Sequence, residues 1–328
     1  MSSGLIDIVS TIPSPIGSGS SVQVRLGRVT DCHQHLWPAS FVELLRGRTR
    51  GPRLEGWTLH LDGEPPYEVD PAAHDLSARR ATDADDGIDL ALLSLSSPLG
   101  IEAIDPDESA PLLAAWHSLA DDLERDGVDG YGVWAAVNVV EPDLDELATW
   151  LRHPRVHGLQ VPAPALADPG AVERLAPVLA VVEAADLPVL VHPGPAATSP
   201  DVPGWWPALT SYTAQLGAAW FAWHVAGRPL LPGLRIAFVG LAGLAPLHHE
   251  RLVQRGGTLG AIDPLVHYET SSYGMRAIDA LVRVVGVDPL VHGSDRPYAR
   301  PTDPGLGDAF TQSLFVTNPA HLLNGAPR

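Results

Sequence analysis

The amino-acid sequence predicts a single α/β domain with the fold of a (β/α)8 TIM-like barrel. Short apolar runs alternate along the chain with segments that have the length and amphipathic pattern of helices, which is typical of a parallel sheet covered by helices. Eight such runs in a chain of 328 residues favour a closed barrel over an open, doubly wound sheet. The hydrophobic content of 45% is enough for one large core or two modest ones, and barrels of this length form one domain.

The predicted strands are short and bounded by turn residues. They lie near Val29 and at residues 88–95, 133–140, 156–161, 188–192, 234–239, 266–270 and 289–292. The helical segments between them include residues 111–125, 144–152, 171–185, 209–226, 247–254 and 277–285. Several strands end in polar residues, namely His33, Ser94, Asn138, Gln160, His192 and Asp295. Because the active site of such a barrel forms at the C-terminal ends of its strands, we expect the functional residues among these.

Two segments fall outside the alternation of strands and helices. Residues 1–22 are rich in Ser, Gly and Pro, which predicts a flexible N-terminal arm before a barrel that spans residues 23–328. Residues 47–71 carry Arg48, Arg50, Arg53 and two consecutive prolines. They predict an insertion after the first strand that serves as a lid or as an oligomer contact. A homodimer is therefore one of the possible oligomeric states.

The charge balance excludes several classes of partner. The net charge of −18 argues against binding to nucleic acid and to anionic membranes. The sequence has no run of 18 apolar residues, and its N-terminus lacks the basic and apolar regions of a signal peptide. We therefore expect a cytoplasmic protein that acts on a small molecule.

The complete absence of lysine restricts the chemistry. All 21 basic residues are arginine, so Schiff-base catalysis is excluded, and so is a dinuclear metal site bridged by a carbamylated lysine. Any metal site is therefore predicted to be mononuclear. The single cysteine, Cys32, cannot form an internal disulfide, and we expect it to pack in the core.

Three separate strand ends offer metal ligands. His33 and His35 alternate on the first strand, so both imidazoles point the same way, roughly 6.6 Å apart along the backbone. His192 ends the fifth strand, and Asp295 follows the eighth. Taken singly, His192 is better explained as a strand cap, and Asp295 is also explained as a turn residue. Together, three neutral imidazoles and one carboxylate would leave a divalent ion with a charge of about +1 and an open position, as catalytic sites require.

The ligands lie in three motifs, Asp-Cys-His-Gln-His-Leu-Trp at 31–37, Val-His-Pro-Gly at 191–194 and Gly-Ser-Asp-Arg-Pro at 293–297. In this order along the chain, the motifs resemble those of the amidohydrolase superfamily. The sequence is most similar to the amidohydrolase-related branch, which holds lactonases and the aminocarboxymuconate-semialdehyde and resorcylate decarboxylases. The resemblance covers roughly residues 28–325, and the motifs at 230–236 and 243–251 extend it.

The resemblance implies one divalent metal ion held by His33, His35, His192 and Asp295 in a distorted (β/α)8 barrel. It also implies that Asp295 is catalytic and moves a proton between the metal-bound water and the substrate. Zn²⁺ is the ion expected first, and Mn²⁺, Fe²⁺ and Co²⁺ remain open because the ligand set does not separate them.

The sequence departs from this family at the end of the sixth strand. Many members carry a histidine there, whereas this chain has Gly240. His248 and His249 are nearby, but both are predicted to face solvent on the next helix, and His224 is predicted to lie in the core or in an interface.

Weaker signals mark candidate substrate contacts at the mouth of the barrel. Trp37, Gln160 and Tyr273 are placed near strand ends, where they would line a pocket or pin loops. Arg296 has two interpretations. It is either a clamp for a substrate carboxylate or, as we favour, an ion pair on the barrel wall.

We expect from these residues a mononuclear metal-dependent hydrolase that acts on an ester, lactone or amide. The alternative is a metal-dependent non-oxidative decarboxylase of a hydroxybenzoate-type acid. A second alternative is a metal-binding barrel without turnover, since Gly240 breaks the family pattern.

Overall fold

The computed structural model describes residues 27–199, 201–258 and 260–325, so the predicted N-terminal arm at 1–22 lies outside the described residues. Within that part, eight parallel strands follow one another around a single sheet in chain order. They are β1 (Thr30–Gln34), β5 (Leu90–Leu93), β6 (Tyr131–Ala135), β7 (Val156–Pro162), β8 (Val189–His192), β9 (Ile236–Phe238), β10 (Val266–Glu269) and β11 (Leu290–Val291). Three shorter strands lie in the insertion after β1, namely β2 (Arg53–Glu55), β3 (Thr58–His60) and β4 (Tyr67–Glu68).

Helices connect these strands on the outside of the sheet. The longer ones are α1 (Ala39–Gly47), α2 (Leu76–Asp85), α3 (Pro106–Arg125), α4 (Leu144–Trp150), α5 (Pro169–Ala184), α6 (Thr213–Ala222), α8 (His249–Gln254), α9 (Met275–Val285) and α11 (Asn318–Asn324). Two short ones, α7 (Arg228–Leu230) and α10 (Asp308–Gln312), precede β9 and the C-terminal helix. In the described residues, none of these helices combines the length and the apolar character needed to cross a membrane.

The sheet closes on itself between its first and last strands. The Cys32 amide donates to the His292 carbonyl at 2.9 Å, and the Asp295 amide donates to the His33 carbonyl at 2.9 Å. A further parallel bridge joins Gln34 and Arg296. The predicted (β/α)8 barrel is therefore confirmed.

The strands are buried on both faces, as a barrel wrapped by helices requires. All five residues of β1 and all four of β8 are buried, and in β8 a continuous Val-Leu-Val run replaces the alternation of a half-exposed strand. Cys32 is fully buried and free, which confirms its predicted place in the core.

Several elements differ from their predicted bounds, and for two of them the structure shows a local reason. The strand predicted at 133–140 ends at Ala135, because the Asn138 side chain accepts hydrogen bonds from the amides of Val140 and Glu141 and turns the chain. The helix predicted at 209–226 keeps α-geometry only in α6 and continues as π-helical turns, Ala208–Tyr212 before it and Trp223–Gly227 after it.

The insertion forms a small antiparallel sheet, β2–β3–β4, that lies over the C-terminal end of the barrel. Its tip is tied to the loop after β8, because the Gly63 carbonyl accepts hydrogen bonds from the Thr198 amide and hydroxyl, both at 2.8 Å. The arginines at its base are neutralised locally. Arg48 pairs with Glu108 at 2.9 Å, for example.

Candidate metal centre and cavity

The four predicted ligands converge at the C-terminal end of the barrel. One ligand atom from each of His33, His35, His192 and Asp295 lies within 4.8 Å of all the others. His33 lies on β1 and His35 directly follows its last residue. His192 is the last residue of β8, and Asp295 lies in the loop after β11 with a positive φ of 57°. The three imidazole rings have centroids 4.8 to 5.1 Å apart.

Two of the imidazoles are oriented by backbone carbonyls. His35 Nδ1 lies 2.9 Å from the Ser94 carbonyl, and His192 Nδ1 lies 2.9 Å from the Pro193 carbonyl. A carbonyl only accepts, so each Nδ1 carries the hydrogen and each Nε2 presents a lone pair to the centre. Burial, reinforced by the neighbouring His33, lowers the pKa of both rings well below the ordinary value, which keeps them neutral as metal ligands must be.

The third imidazole is backed by a buried carboxylate. His33 Nδ1 lies 3.4 Å from Oε2 of Glu269, a residue with no exposed surface. Burial alone would lower the pKa of His33, but the Glu269 carboxylate reverses the effect and raises it. Glu269 is itself held by the Ser271 amide and hydroxyl, at 2.6 and 2.8 Å, and by the Gly240 amide at 3.1 Å.

This donor set fits a divalent metal ion. His33 Nε2 and His35 Nε2 lie 3.0 Å apart, and Asp295 Oδ1 lies 3.1 Å from His35 Nε2. Lone pairs that face each other at this distance repel unless a cation or a proton lies between them. Three imidazoles and a carboxylate suit Zn²⁺ and its first-row neighbours, including Mn²⁺. Burial also raises the pKa of the Asp295 carboxyl, although the neighbouring His33 and His192 oppose this.

An apolar cavity of about 390 Å³ opens onto these four residues. The insertion contributes one side of it, and the segment from the loop after β8 to α6 contributes the other. Its apolar wall includes Leu59, Leu61, Pro65, Pro66, Tyr67, Pro98, Leu99, Pro193, Ala208, Leu209, Leu216 and Val239.

The structure separates the predicted substrate contacts. Tyr273 lines the cavity as expected. Trp37 does not, because it is 1% exposed, stacks on His74 and donates from Nε1 to Ser96 at 3.1 Å behind the wall. Gln160 is also behind the wall, where its amide donates to the Leu95 carbonyl at 2.6 Å. The expected direct contacts of Trp37 and Gln160 with a substrate are therefore not found, and both side chains support the cavity wall from behind.

Arg296 also lies away from the cavity. Its guanidinium is 3.3 Å from Asp83 and bonds Asp86, as the wall ion pair requires. The substrate-clamp interpretation therefore has no support in the geometry.

The end of the sixth strand contains no replacement histidine. Gly240 lines the cavity at a positive φ of 52°, and a Cβ built on it would lie 3.8 Å from the Leu216 and Tyr273 side chains. Among the described residues, the histidines on the cavity wall are the three of the metal centre. His248 is exposed directly before α8, and His249 is partly exposed as the first residue of that helix. His224 packs edge-on against Trp220.

Four functional candidates were not marked by the sequence. Glu269, Glu64, Tyr212 and Tyr298 lie at the centre or on the cavity wall. Only Glu269 had a readable signal, since it is an acidic residue at the C-terminal end of an apolar strand. Glu64 and Tyr212 sit on the insertion and on a π-turn, and Tyr298 follows the Asp295 loop, where no periodic pattern predicts a side-chain direction.

Comparison with known proteins identifies the fold. No protein-family model matches the chain, and no curated protein matches it by sequence. IDCase from Metarhizium anisopliae superposes with a TM-score of 0.75 at 17% identity, over 90% of this chain and 97% of that one. A structure of amidohydrolase II gives a TM-score of 0.70 at 20% identity, over 90% and 99%. This chain has the same barrel fold as these structures.

A third structure of the same fold carries ligands. 5-Carboxyvanillate decarboxylase from Novosphingobium aromaticivorans has a TM-score of 0.70 at 17% identity, over 92% of this chain and 97% of that one. It was solved in complex with manganese and 4-hydroxy-3-methoxy-5-nitrobenzoic acid. The resemblance predicted from the ligand motifs is thus confirmed at the level of the fold.

Proposed function

We propose that the protein is a metal-dependent, non-oxidative decarboxylase of an aromatic hydroxy acid. The observation that carries this proposal is the apolar cavity of about 390 Å³ that opens directly onto the four candidate ligands. A planar ring with an acid and a neighbouring hydroxyl fits a site that is apolar along its walls and ligand-rich at one end. Likeness in fold to 5-carboxyvanillate decarboxylase supports the decarboxylase alternative over the hydrolase expected first.

His33, His35, His192 and Asp295 would hold the metal ion. When bound, the ion supplies positive charge that anchors the carboxylate and the hydroxyl of the substrate. Mn²⁺ takes precedence over Zn²⁺ as the first ion to test, because the decarboxylase of this fold was solved with manganese.

The reaction needs a proton donor beside the ring and little water. The bond between the ring and the carboxyl carbon breaks, its electron pair remains on the ring carbon, carbon dioxide leaves and a proton takes its place. Asp295 is the proposed donor, since its side chain is 21% exposed and lines the cavity. The Leu and Pro side chains of the wall exclude water, which favours the loss of a neutral molecule such as carbon dioxide.

The test is product analysis on metal-loaded protein. Apo protein reconstituted with Mn²⁺ or with Zn²⁺ is incubated with hydroxybenzoates labelled at the carboxyl carbon and, in parallel, with esters and lactones. We expect labelled carbon dioxide and a phenol, in equal amounts. The Asp295→Asn variant should lose this activity, whereas Asp303→Asn, a matched change at an exposed residue of the same loop, should keep it.

Two other outcomes would contradict the proposal. Hydrolysis of an ester or lactone without release of carbon dioxide would support the hydrolase function that was expected first from the sequence. Stoichiometric metal without turnover of either panel would support a metal-binding barrel.

A further inference from the structure

The cavity carries negative charge without a cation to balance it. Apart from the metal centre, the charged side chain on its wall is Glu64, and no arginine lines the cavity within residues 27–199, 201–258 and 260–325. Lysine is absent from the whole sequence. A substrate group that reaches this part of the wall therefore meets a carboxylate.

Glu64 is fixed in this position by both sides of the cavity. It lies on the insertion between β3 and β4, and both of its carboxylate oxygens accept a hydrogen bond from the Tyr212 hydroxyl, at 2.9 and 3.1 Å. The Ala196 amide donates to it at 3.3 Å. The neighbouring Gly63 carbonyl is tied to Thr198, which holds the backbone of the insertion in place beside the carboxylate.

Four arginines of the insertion and of the elements beside it are engaged elsewhere. Arg46 pairs with Glu43 at 2.6 Å, Arg53 pairs with Glu55 at 3.1 Å, and Arg48 pairs with Glu108. Arg79 donates to the His35 carbonyl at 2.9 Å from inside the wall. A second substrate carboxylate beside Glu64 would consequently be desolvated next to a like charge with no partner, which is strongly unfavourable.

Building on the proposed function, we infer that the substrate is an aromatic acid with a single anionic group, which is the group anchored at the metal centre. Glu64, oriented by Tyr212, excludes a second carboxylate at the far end of the ring and accepts a hydrogen bond from an amine or hydroxyl there. This sets the chain apart from an enzyme for a diacid such as 5-carboxyvanillate, the substrate in the name of one structure with the same fold.

The experiment compares three nitrophenols that carry no group able to decarboxylate next to the chelating hydroxyl. They are 2-nitrophenol, 4-hydroxy-3-nitrobenzoate and 4-amino-2-nitrophenol, which differ only in the substituent opposite the hydroxyl. Binding to Mn²⁺-loaded protein is followed through the absorbance of the probe, in the wild type, in Glu64→Gln and in Glu68→Gln. The last is the matched control, because Glu68 is an exposed carboxylate of the same insertion that bonds Thr58 and not the cavity.

In the wild type and in Glu68→Gln, the carboxylate probe should bind at least about tenfold more weakly than 2-nitrophenol, and the amine probe at least as tightly as 2-nitrophenol. Glu64→Gln should reduce the discrimination against the carboxylate about tenfold. Circular dichroism checks that the variant is folded, and the comparison of probes in the wild type does not depend on it.

Equal binding of the first two probes to the wild type, or unchanged discrimination in folded Glu64→Gln, would overturn the inference alone. Failure of every probe to bind would overturn the anchoring at the metal centre and with it both proposals. The predicted selectivity without any release of carbon dioxide from hydroxybenzoates would overturn the proposed decarboxylase activity. The inference that Glu64 excludes a second carboxylate would still hold.

Discussion

One carboxylate oxygen of Asp31 accepts a hydrogen bond from the backbone amide of Ser294 at 3.0 Å, across 263 residues of sequence. The same oxygen accepts one from the His33 amide at 3.1 Å, and the second oxygen accepts one from Gln34 Nε2 at 2.8 Å. Ser294 directly precedes Asp295. A single buried side chain therefore fixes the distance between the first and the last candidate ligand.

The Asp31→Asn substitution tests this link. Asparagine keeps one acceptor oxygen but places an NH2 group against the Gln34 amide, so two donors would face each other. We expect the free energy of unfolding to fall by about 1–3 kcal/mol, with weaker metal binding. Denaturant unfolding and metal titration measure both. Asp143→Asn is the control, because Asp143 caps α4 and asparagine caps a helix equally well. Equal stability of the two variants would contradict this role of Asp31.

The candidate ligand set was readable from the sequence because its three histidines lie at the ends of short predicted strands and Asp295 follows the last one. His33 and His35 share a face through the period of two, and His192 interrupts a Val-Leu run. Trp37 was misplaced because the chain turns after β1 and packs the ring on His74. Glu64 and Tyr212 were beyond prediction, since they meet only when the insertion folds over the barrel.

Glu269 should control metal affinity without being a ligand. It contacts His33 at Nδ1, opposite the nitrogen that faces the centre, and so sets the orientation and basicity of the ring. We expect Glu269→Gln to weaken Mn²⁺ or Zn²⁺ binding by about 10–100-fold while the fold persists. Metal titration with a competing chelator measures this. An unchanged dissociation constant would show that His33 is oriented by its backbone alone.

Gly243 lies in the turn after β9, where this turn packs closely against Thr213 at the start of α6. A Cβ there would lie 2.3 Å from the Thr213 carbonyl oxygen, at a φ of +60°. Gly256 has a φ of +85°, and a Cβ built on it would have no atom within 4 Å. An alanine there therefore measures the cost of the backbone conformation alone. We expect Gly256→Ala to lower the free energy of unfolding by about 1–2 kcal/mol, and Gly243→Ala by at least about 2 kcal/mol more. Similar losses in the two variants would mean that the turn relaxes around the methyl group.

Stability should fall with acid through buried neutral histidines. Burial lowers the pKa of His117 from 6.5 to about 4, and its Nε2 accepts a hydrogen bond from the Ala136 amide at 3.1 Å. Between these pH values the unfolded chain takes up a proton that the folded chain excludes, so stability is lost as the pH falls from 6.5 towards 4. The slope is about 1.4 kcal/mol per pH unit for this one group. In chelator-treated protein, His117→Gln should make the measured slope shallower by that amount, and an identical slope would contradict the prediction.

Arg296 distinguishes a wall ion pair from a substrate clamp. Its guanidinium contacts Asp83 at 3.3 Å, and Asp83 also accepts hydrogen bonds from Gln34 and Tyr131. Removing the charge would take away one of the two cations near the buried Asp83 carboxylate, the other being Arg79. We therefore expect Arg296→Gln to lower the free energy of unfolding by about 1–3 kcal/mol.

Because the guanidinium does not reach the cavity, affinity for 2-nitrophenol or for a hydroxybenzoate should change less than about twofold. Arg283→Gln is the matched control, since Arg283 forms an exposed pair with Asp279 at 3.0 Å and its loss should cost less than about 0.5 kcal/mol. A large loss of ligand affinity in Arg296→Gln, with an unchanged free energy of unfolding, would support the substrate-clamp interpretation instead.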